Sequence, residues 1–262
     1  MNPALRAAAT GMVAQQQRVE VIANNLANVN TTGFKRSRAR FEDLLYQRIQ
    51  GPAALGGEGA QALESIQVGR GTRLAAVQRI DSQGTIEQTN RPLDVAIEGA
   101  GFFQVALPDG RMGYTRDGSF TISDSGMLVT HGGYALQPEI TIPTEATDVA
   151  ISRTGIVTVQ LANSPQPAEV GRLELVRFPN APGLESLGEN LFVETVASGT
   201  PQIGFPQEDG FGRLIQGSLE TSNVEVVQEM VEMIAALRAY EVNSKAVQAG
   251  EDMSQMANGL LR

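Results

Sequence analysis

Apolar positions recur at helical spacing at both ends of the chain and at strand spacing between them. From about Leu5 to Val29, the residues Leu5, Ala8, Met12, Val19, Ile22, Leu26 and Val29 follow a three-four spacing, interrupted by Gln15. The stripe is therefore as narrow as a coiled-coil seam. Asn2 suits an N-cap and Pro3 the first helical position. Asn24, Asn25, Asn28 and Asn30, followed by Thr31, Thr32 and Gly33, lower helix propensity and predict an end near Asn28 or Asn30. A second helix is predicted from about Val224 to Leu261. Val226, Met230, Met233, Leu237, Tyr240, Ser244, Val247, Ser254 and Leu261 repeat there, Val227 and Ile234 widen the face, and Glu251 and Asn258 spoil it. Ser222 and Glu225 read as the capping box of that helix. Two matched stripes this far apart are buried either against each other or against other copies of the chain.

Between them the period changes to two. Leu93 to Glu98 alternates, and Phe102 to Leu107 is β-prone. Pro108-Asp109-Gly110, Asp117-Gly118, Asp124-Ser125-Gly126 and Gly132-Gly133 are turn signals. Ser119 to Ile122, Met127 to Thr130 and Tyr134 to Leu136 continue a meander. Further strands are expected at Asp148 to Ser152, Ile156 to Leu161, Gly171 to Arg177 and Asn190 to Glu194. Such a region packs as a sandwich or irregular barrel. Residues 50 to 66, with Gly51, Pro52, Gly56, Gly57 and Gly59, show little periodicity and read as a flexible loop or an extended arm.

Composition adds exclusions. At 262 residues, 42% hydrophobic and 19% charged, the chain can bury a sizeable core. With no Cys and one His, a disulfide framework and a Cys-based metal site are ruled out, and no cofactor is expected. No run approaches the ~20 apolar residues that span a bilayer, and Met1 to Val13 does not read as a cleavable signal peptide. The net charge of -9 disfavours nucleic acid but is uneven. Residues 1 to 40 set Arg6, Arg18, Lys35, Arg36, Arg38 and Arg40 against Glu20, about +5. Residues 214 to 262 come to about -4, and the middle to about -10. Opposite charge on the two terminal helices favours their association. A basic nucleic-acid arm would want an aromatic-rich groove, which does not accompany the cluster.

No catalytic constellation emerges. Gly99-Ala100-Gly101 lacks the third glycine and helix context of a dinucleotide site, and His131 sits in a Gly-rich turn as a surface residue. Asp94 and Glu98 are the acids to name for a secreted carbohydrate-active enzyme, although no Trp offers a sugar platform.

Several segments together resemble a known family. Ala23-Asn-Asn-Leu-Ala-Asn-Val-Asn-Thr-Thr-Gly-Phe34-Lys35 is similar to the N-terminal signature of rod and hook proteins of the bacterial flagellum. Gly217-Ser-Leu-Glu-Thr-Ser-Asn-Val224, followed by Met233 to Ser244, looks like the matching C-terminal signature. Leu93 to Phe103, Tyr114-Thr-Arg-Asp-Gly-Ser-Phe120, Gly133-Tyr134 with Pro138, and Gly183 to Asn190 resemble the distal-rod group rather than proximal-rod or hook subunits. The signature positions are Asn24, Asn25, Asn28, Thr32, Gly33, Phe34, Thr221, Ser222 and Asn223.

The resemblance implies an α+β fold in which the two terminal helices pair as a coiled-coil-like layer, with an inserted, mostly-β domain and an extended Gly-rich arm. The expected division is a discontinuous helical core (1–33 and 223–262), a connecting region (34–75 and 210–222, arm at 46–66) and a β-rich outer domain (76–209). It further implies a helical homopolymer, a hollow rigid drive shaft carrying torque. Its neighbours would be proximal rod proteins, the hook or its junction, the P- and L-ring proteins and the export apparatus. The subunit would lie in the basal body across the periplasm, reached by type III export without a cleaved signal. Its seams would be Leu5, Met12, Val19, Ile22 and Leu26 with Val226, Met230, Met233, Leu237, Tyr240 and Val247. The arm would lock neighbouring subunits.

Overall fold

A computed structural model of the chain describes residues 3–50, 66–161 and 166–260. The secondary structure is one long helix near each end with a mostly-β middle, an α+β chain. It divides into two units: Met1–Leu26, Ser37–Gln78 and Val226–Arg262 form unit 1, and Ala27–Arg36 with Arg79–Glu225 form unit 2.

Unit 1 holds the helices α1 (Pro3–Ala27) and α2 (Val226–Leu260). α1 stops at Ala27, within the Asn-rich run and just before Asn28. α2 starts later than the Ser222–Glu225 capping box requires. The Ser222 Oγ instead accepts the Val224 N–H at 3.3 Å, closing a local turn ahead of the helix. The remainder of unit 1 is a long two-stranded ribbon. Ser37–Asp43 lies beside Thr72–Arg79, and Gln47–Gln50 pairs antiparallel with Ile66–Val68. The ribbon approaches α1 so closely at Gly71 (φ +109°) that a Cβ there would overlap the Thr10 Oγ1, which also accepts the Thr72 N–H at 3.3 Å. Of the predicted arm, the flanking residues 46–50 and 66 are described. Gly51, Pro52, Gly56, Gly57 and Gly59 lie outside the described residues, as do Asn2 and Leu261.

Unit 2 is built on a seven-stranded antiparallel sheet in the order Glu185–Gly188, Leu191–Val193, Met112–Thr115, Phe103–Ala106, Ala135–Gln137, Leu128–Thr130, Phe120–Ile122. The predicted turns connect several of these strands, and Gly110, Gly126 and Gly133 take the left-handed backbone those turns need. A three-stranded sheet (Ala146–Ile151, Ile156–Leu161, Ala168–Arg172) and shorter pairs complete the unit. Two expectations change here. Leu93–Glu98 is not a half-exposed alternating strand. It is enclosed on both faces, with Val95, Ala96 and Ile97 all buried, because Ala96 is small enough to be covered on the second face. The single strand expected over Gly171–Arg177 is two: Ala168–Arg172 pairs with Ile156–Leu161, while Leu175–Arg177 pairs with Gln202–Gly204.

Because successive strand residues face opposite sides, Phe102 and Phe103 serve different clusters. Phe103 stacks edge-on with Phe120 at 5.0 Å inside the main core of Ile97, Leu128, Leu136, Leu175 and Leu214. Phe102 meets Phe178 and Phe192 in a smaller aromatic cluster with Tyr114 and Val176. Edge-to-face pairs of this kind add roughly 0.5–1.5 kcal/mol beyond their buried area.

Candidate assembly surfaces

The residues of the sequence signatures come together as two polar junctions. In unit 2, Glu220 is buried and central. Its carboxylate takes the Lys35 ammonium at 2.5 Å, the Arg116 guanidinium at 2.9 Å and the Gly84 N–H at 2.9 Å. Lys35 also donates to the Ser82 carbonyl at 2.8 Å, and Arg116 to the Gly99 carbonyl at 2.6 Å. Burial pushes the Glu220 carboxyl up, but Arg116 and Lys35 outweigh it and hold the group below its ordinary 4.5. Burial pulls Lys35 below its usual 10.5, against the attraction of Glu220. Arg116 is the larger of the two charge influences that hold the carboxylate low.

Backbone bonds tighten the same place. The Gly33 N–H (φ +69°) donates to the Glu220 carbonyl at 2.8 Å, and the Arg36 N–H donates to Asn223 Oδ1 at 2.7 Å. Asn223 Nδ2 donates to the Ile80 and Ser82 carbonyls. Thr32 offers its carbonyl to Asn190 at 2.8 Å, and the Thr221 N–H and hydroxyl both reach the Thr85 carbonyl. Asn28 accepts from the Thr31 hydroxyl, Phe34 is half-buried and Asn24 is exposed.

In unit 1, Asn25 imitates a strand. Its Nδ2 donates to the Ser37 carbonyl at 2.8 Å while its Oδ1 accepts the Ser37 N–H at 2.9 Å. The same Nδ2 reaches Glu229 at 3.1 Å. Glu229 is buried in the first turn of α2, where the helix end favours an acid. Three more levels link the helices. Arg18 pairs with Glu232 at 3.4 Å, a methyl on Gly11 would fall 2.9 Å from Asn243 Nδ2, and one on Gly250 would fall 2.5 Å from Leu5 Cδ2. Numbers rise along α1 as they fall along α2, so the two run antiparallel.

The inward residues of α2 are thus Glu229, Ala236, Asn243 and Gly250, seven apart and either small or polar. Ala236 is fully buried. The predicted apolar seam lies elsewhere. Val226, Met230, Leu237 and Tyr240 are 40%, 51%, 47% and 41% exposed, with Val227, Val231 and Ile234 exposed beside them; Met233 and Val247 are half-buried. On α1, Ile22 is buried, and Leu5, Met12, Val19 and Leu26 are half-buried. Sequence periodicity missed the inward seam because it weights apolar residues. The spacing of the small residues Gly11, Ala14, Ala236 and Gly250 is the signal that could have found it.

The acids singled out for catalysis are occupied by structural partners. Asp94 is buried and accepts from the Thr89 hydroxyl at 2.6 Å, and both Glu98 oxygens are held by Arg213 at 2.6 and 2.9 Å. The Arg213 hydrogen bond keeps the Glu98 carboxyl below its usual range, away from a general acid's. His131 stands exposed on its turn.

Three family models match the chain: "Flagella basal body rod protein" over residues 5–35, "Flagellar hook protein FlgE/F/G D1 domain" over 96–159, and "Flagellar basal body rod FlgEFG protein C-terminal" over 215–260. The flagellar basal-body rod protein FlgG of Caulobacter vibrioides is 48% identical over 258 residues, 98% of either chain. That of Borreliella burgdorferi is 50% identical over the full length of both, and that of Bacillus subtilis 37% identical over 97% of each. The chain belongs to the FlgG family of flagellar basal-body rod proteins. It is a structural rod protein of the basal body, and the enzymatic alternative falls. Each of the three matched spans contributes one member of the buried ion cluster: Lys35 from the first, Arg116 from the second and Glu220 from the third. In this FlgG-family chain, the three family segments are therefore bonded to one another at a single carboxylate.

Proposed function

We propose that this chain is a distal-rod subunit that polymerises helically into a hollow, rigid shaft, with α1 and α2 as a coiled-coil-like inner layer and the β-rich unit outside. The observation that carries the reading is the exposed apolar face of α2. Val227, Met230, Val231, Ile234, Leu237 and Tyr240 are too many large side chains to leave in water along one helix face. Burying each fully would be worth roughly 1.5–3 kcal/mol. The intrachain seam is completed by small and polar residues, so the large apolar ones remain for neighbouring copies. An open, head-to-tail assembly presents such a face at every repeat.

The finer assignments follow from this reading. The subunit contacts are Val226, Met230, Met233, Leu237, Tyr240 and Val247, facing Leu5, Met12, Val19 and Leu26 of neighbours, while Ile22, buried in its own chain, supports them from within. Residues 46–66 lock adjacent subunits. Proximal rod, hook-side and P- and L-ring proteins flank the polymer, which crosses the periplasm after type III export without a cleaved signal. Leu237→Asp and Leu26→Asp should abolish polymerisation, scored by sedimentation and electron microscopy, while unit 2 keeps its fold. Normal filaments from Leu237→Asp would contradict the reading. Deleting Gly51 to Gly59 should make filaments bend, and unchanged stiffness would remove the arm from the mechanism.

A further inference from the structure

α1 has a second outward face that the seams do not use. Arg6, Ala9 and Val13 follow one another at helical spacing, all exposed, Val13 by 56%. Alongside them runs the ribbon, and between the two lie a groove of about 490 Å³ with Arg6, Asp43, Leu44, Leu45 and Arg70 on its walls and a second of about 420 Å³ with Ala9, Val13 and Leu74. Arg73, which pairs with Glu42 at 3.2 Å, lines both, so they form one apolar track whose lining carries three arginines against the single acid Asp43. Leu45, at 87% exposed, projects at its mouth.

α2 carries a complementary element. Leu5 meets α2 at Gly250, and α2 continues for ten residues beyond that point, to Leu260. That is about 15 Å of helix. Within it Asp252, Met253 and Met256 share a face, and Glu251 adjoins them. All four are exposed, the methionines by 57% and 63%. Among the described residues no basic one occupies the last turn of α2, whose end carries negative partial charge. Methionine is the side chain best suited to filling an irregular groove.

We propose that the basic, apolar track between α1 and the ribbon is the docking site for the Glu251–Met256 end of α2 from a second copy of this chain. Arg6 and Arg70 would face Glu251 and Asp252, and Met253 and Met256 would lie over Val13 and Leu45. The contact rests on the polymer reading, but it is separate from the apolar face of α2, and it gives the polymer a direction because the track and the helix end are different surfaces.

The chain has no cysteine, so single cysteines report contacts without background. A tagged Leu45→Cys chain and an untagged Met253→Cys chain are mixed, polymerised and oxidised. A tagged Val196→Cys chain replaces the first as a reference, since Val196 is fully exposed in unit 2. Held against each other, the two thiols should give heterodimer at about tenfold or more the reference yield, as expected for a high effective concentration. Polymers in which Leu45→Cys and Val196→Cys give the same yield would overturn the docking site and leave the polymer intact. An unsubstituted chain that forms no polymer would overturn the underlying reading, and this one with it.

Discussion

Unit 2 finishes its own interior, and unit 1 does not. In unit 2 the large apolar residues are inside: Phe103, Phe120, Ile97, Leu128 and Leu136 are each at most 2% exposed, and the central carboxylate of Glu220 is matched by two cations. In unit 1 the order is reversed. Between the helices lie two glycines, two asparagines, Ala236 and the buried Glu229, with Leu5 against Gly250, while valines, methionines, a leucine and a tyrosine face outward. Unit 2 is held by what it encloses. Unit 1 is held by close backbone approach and polar bonds, and much of its apolar surface is left open.

The contrast can be broken from either side. The largest effect is expected at Glu220, because removing the carboxylate leaves Lys35 and Arg116 buried and unmatched. Glu220→Ala should destabilise unit 2 by about 3–5 kcal/mol, read from chemical denaturation of the β-sheet signal. A loss under 1 kcal/mol would mean that the cluster is not the keystone described. The same group sets an acid dependence. Its folded pKa is depressed, so its contribution is fully present above about 4.5 and is lost as pH falls through the lower folded value. Glu220→Gln should flatten that part of the stability profile relative to the parent chain.

Next in size is the inward seam of unit 1. Ala236 is fully buried, and Ala236→Leu should overpack it, costing about 1–3 kcal/mol in the helical signal at 222 nm. Asn25→Leu strips the Ser37 backbone of both partners and leaves Glu229 without the Asn25 amide. It should cost about 1–3 kcal/mol. The smallest effect on the isolated chain is expected at Leu237, nearly half exposed: Leu237→Asp should shift monomer stability by about 0.5 kcal/mol or less. That near-silence in the monomer, set against loss of the polymer, is the signature of a surface kept for association.

Much of the outline was legible along the chain. The end of α1 at the asparagine run, the hairpin turns at Gly110, Gly126 and Gly133, and the strand Ile156–Leu161 follow from local rules that tertiary packing did not override. The ribbon strand Ser37–Asp43 was hidden because its sequence, Ser-Arg-Ala-Arg-Phe-Glu-Asp, has few apolar positions to alternate; it is defined by backbone pairing and by Asn25. The inward seam of α2 was hidden for a related reason, since Glu229, Ala236, Asn243 and Gly250 carry no hydrophobic signal. Lys35, Arg116 and Glu220 each stood within a segment that resembled the family. That they meet could not be read from spacing, with Glu220 lying 104 positions from one partner and 185 from the other.

The central claim is that the outer face of α2 is open in the monomer and closed in the polymer. Methionine supplies a native probe, because its oxidation under hydroxyl radicals follows exposure. Met230 is 51% exposed on that face, and Met112, 42% exposed in unit 2, serves as an internal reference. Radical footprinting of monomer and polymer, read by mass spectrometry, should show Met230 oxidised at a rate comparable to Met112 in the monomer and strongly protected relative to it in the polymer. Equal oxidation of Met230 in both states would mean that the face stays open, and the account of unit 1 would be wrong.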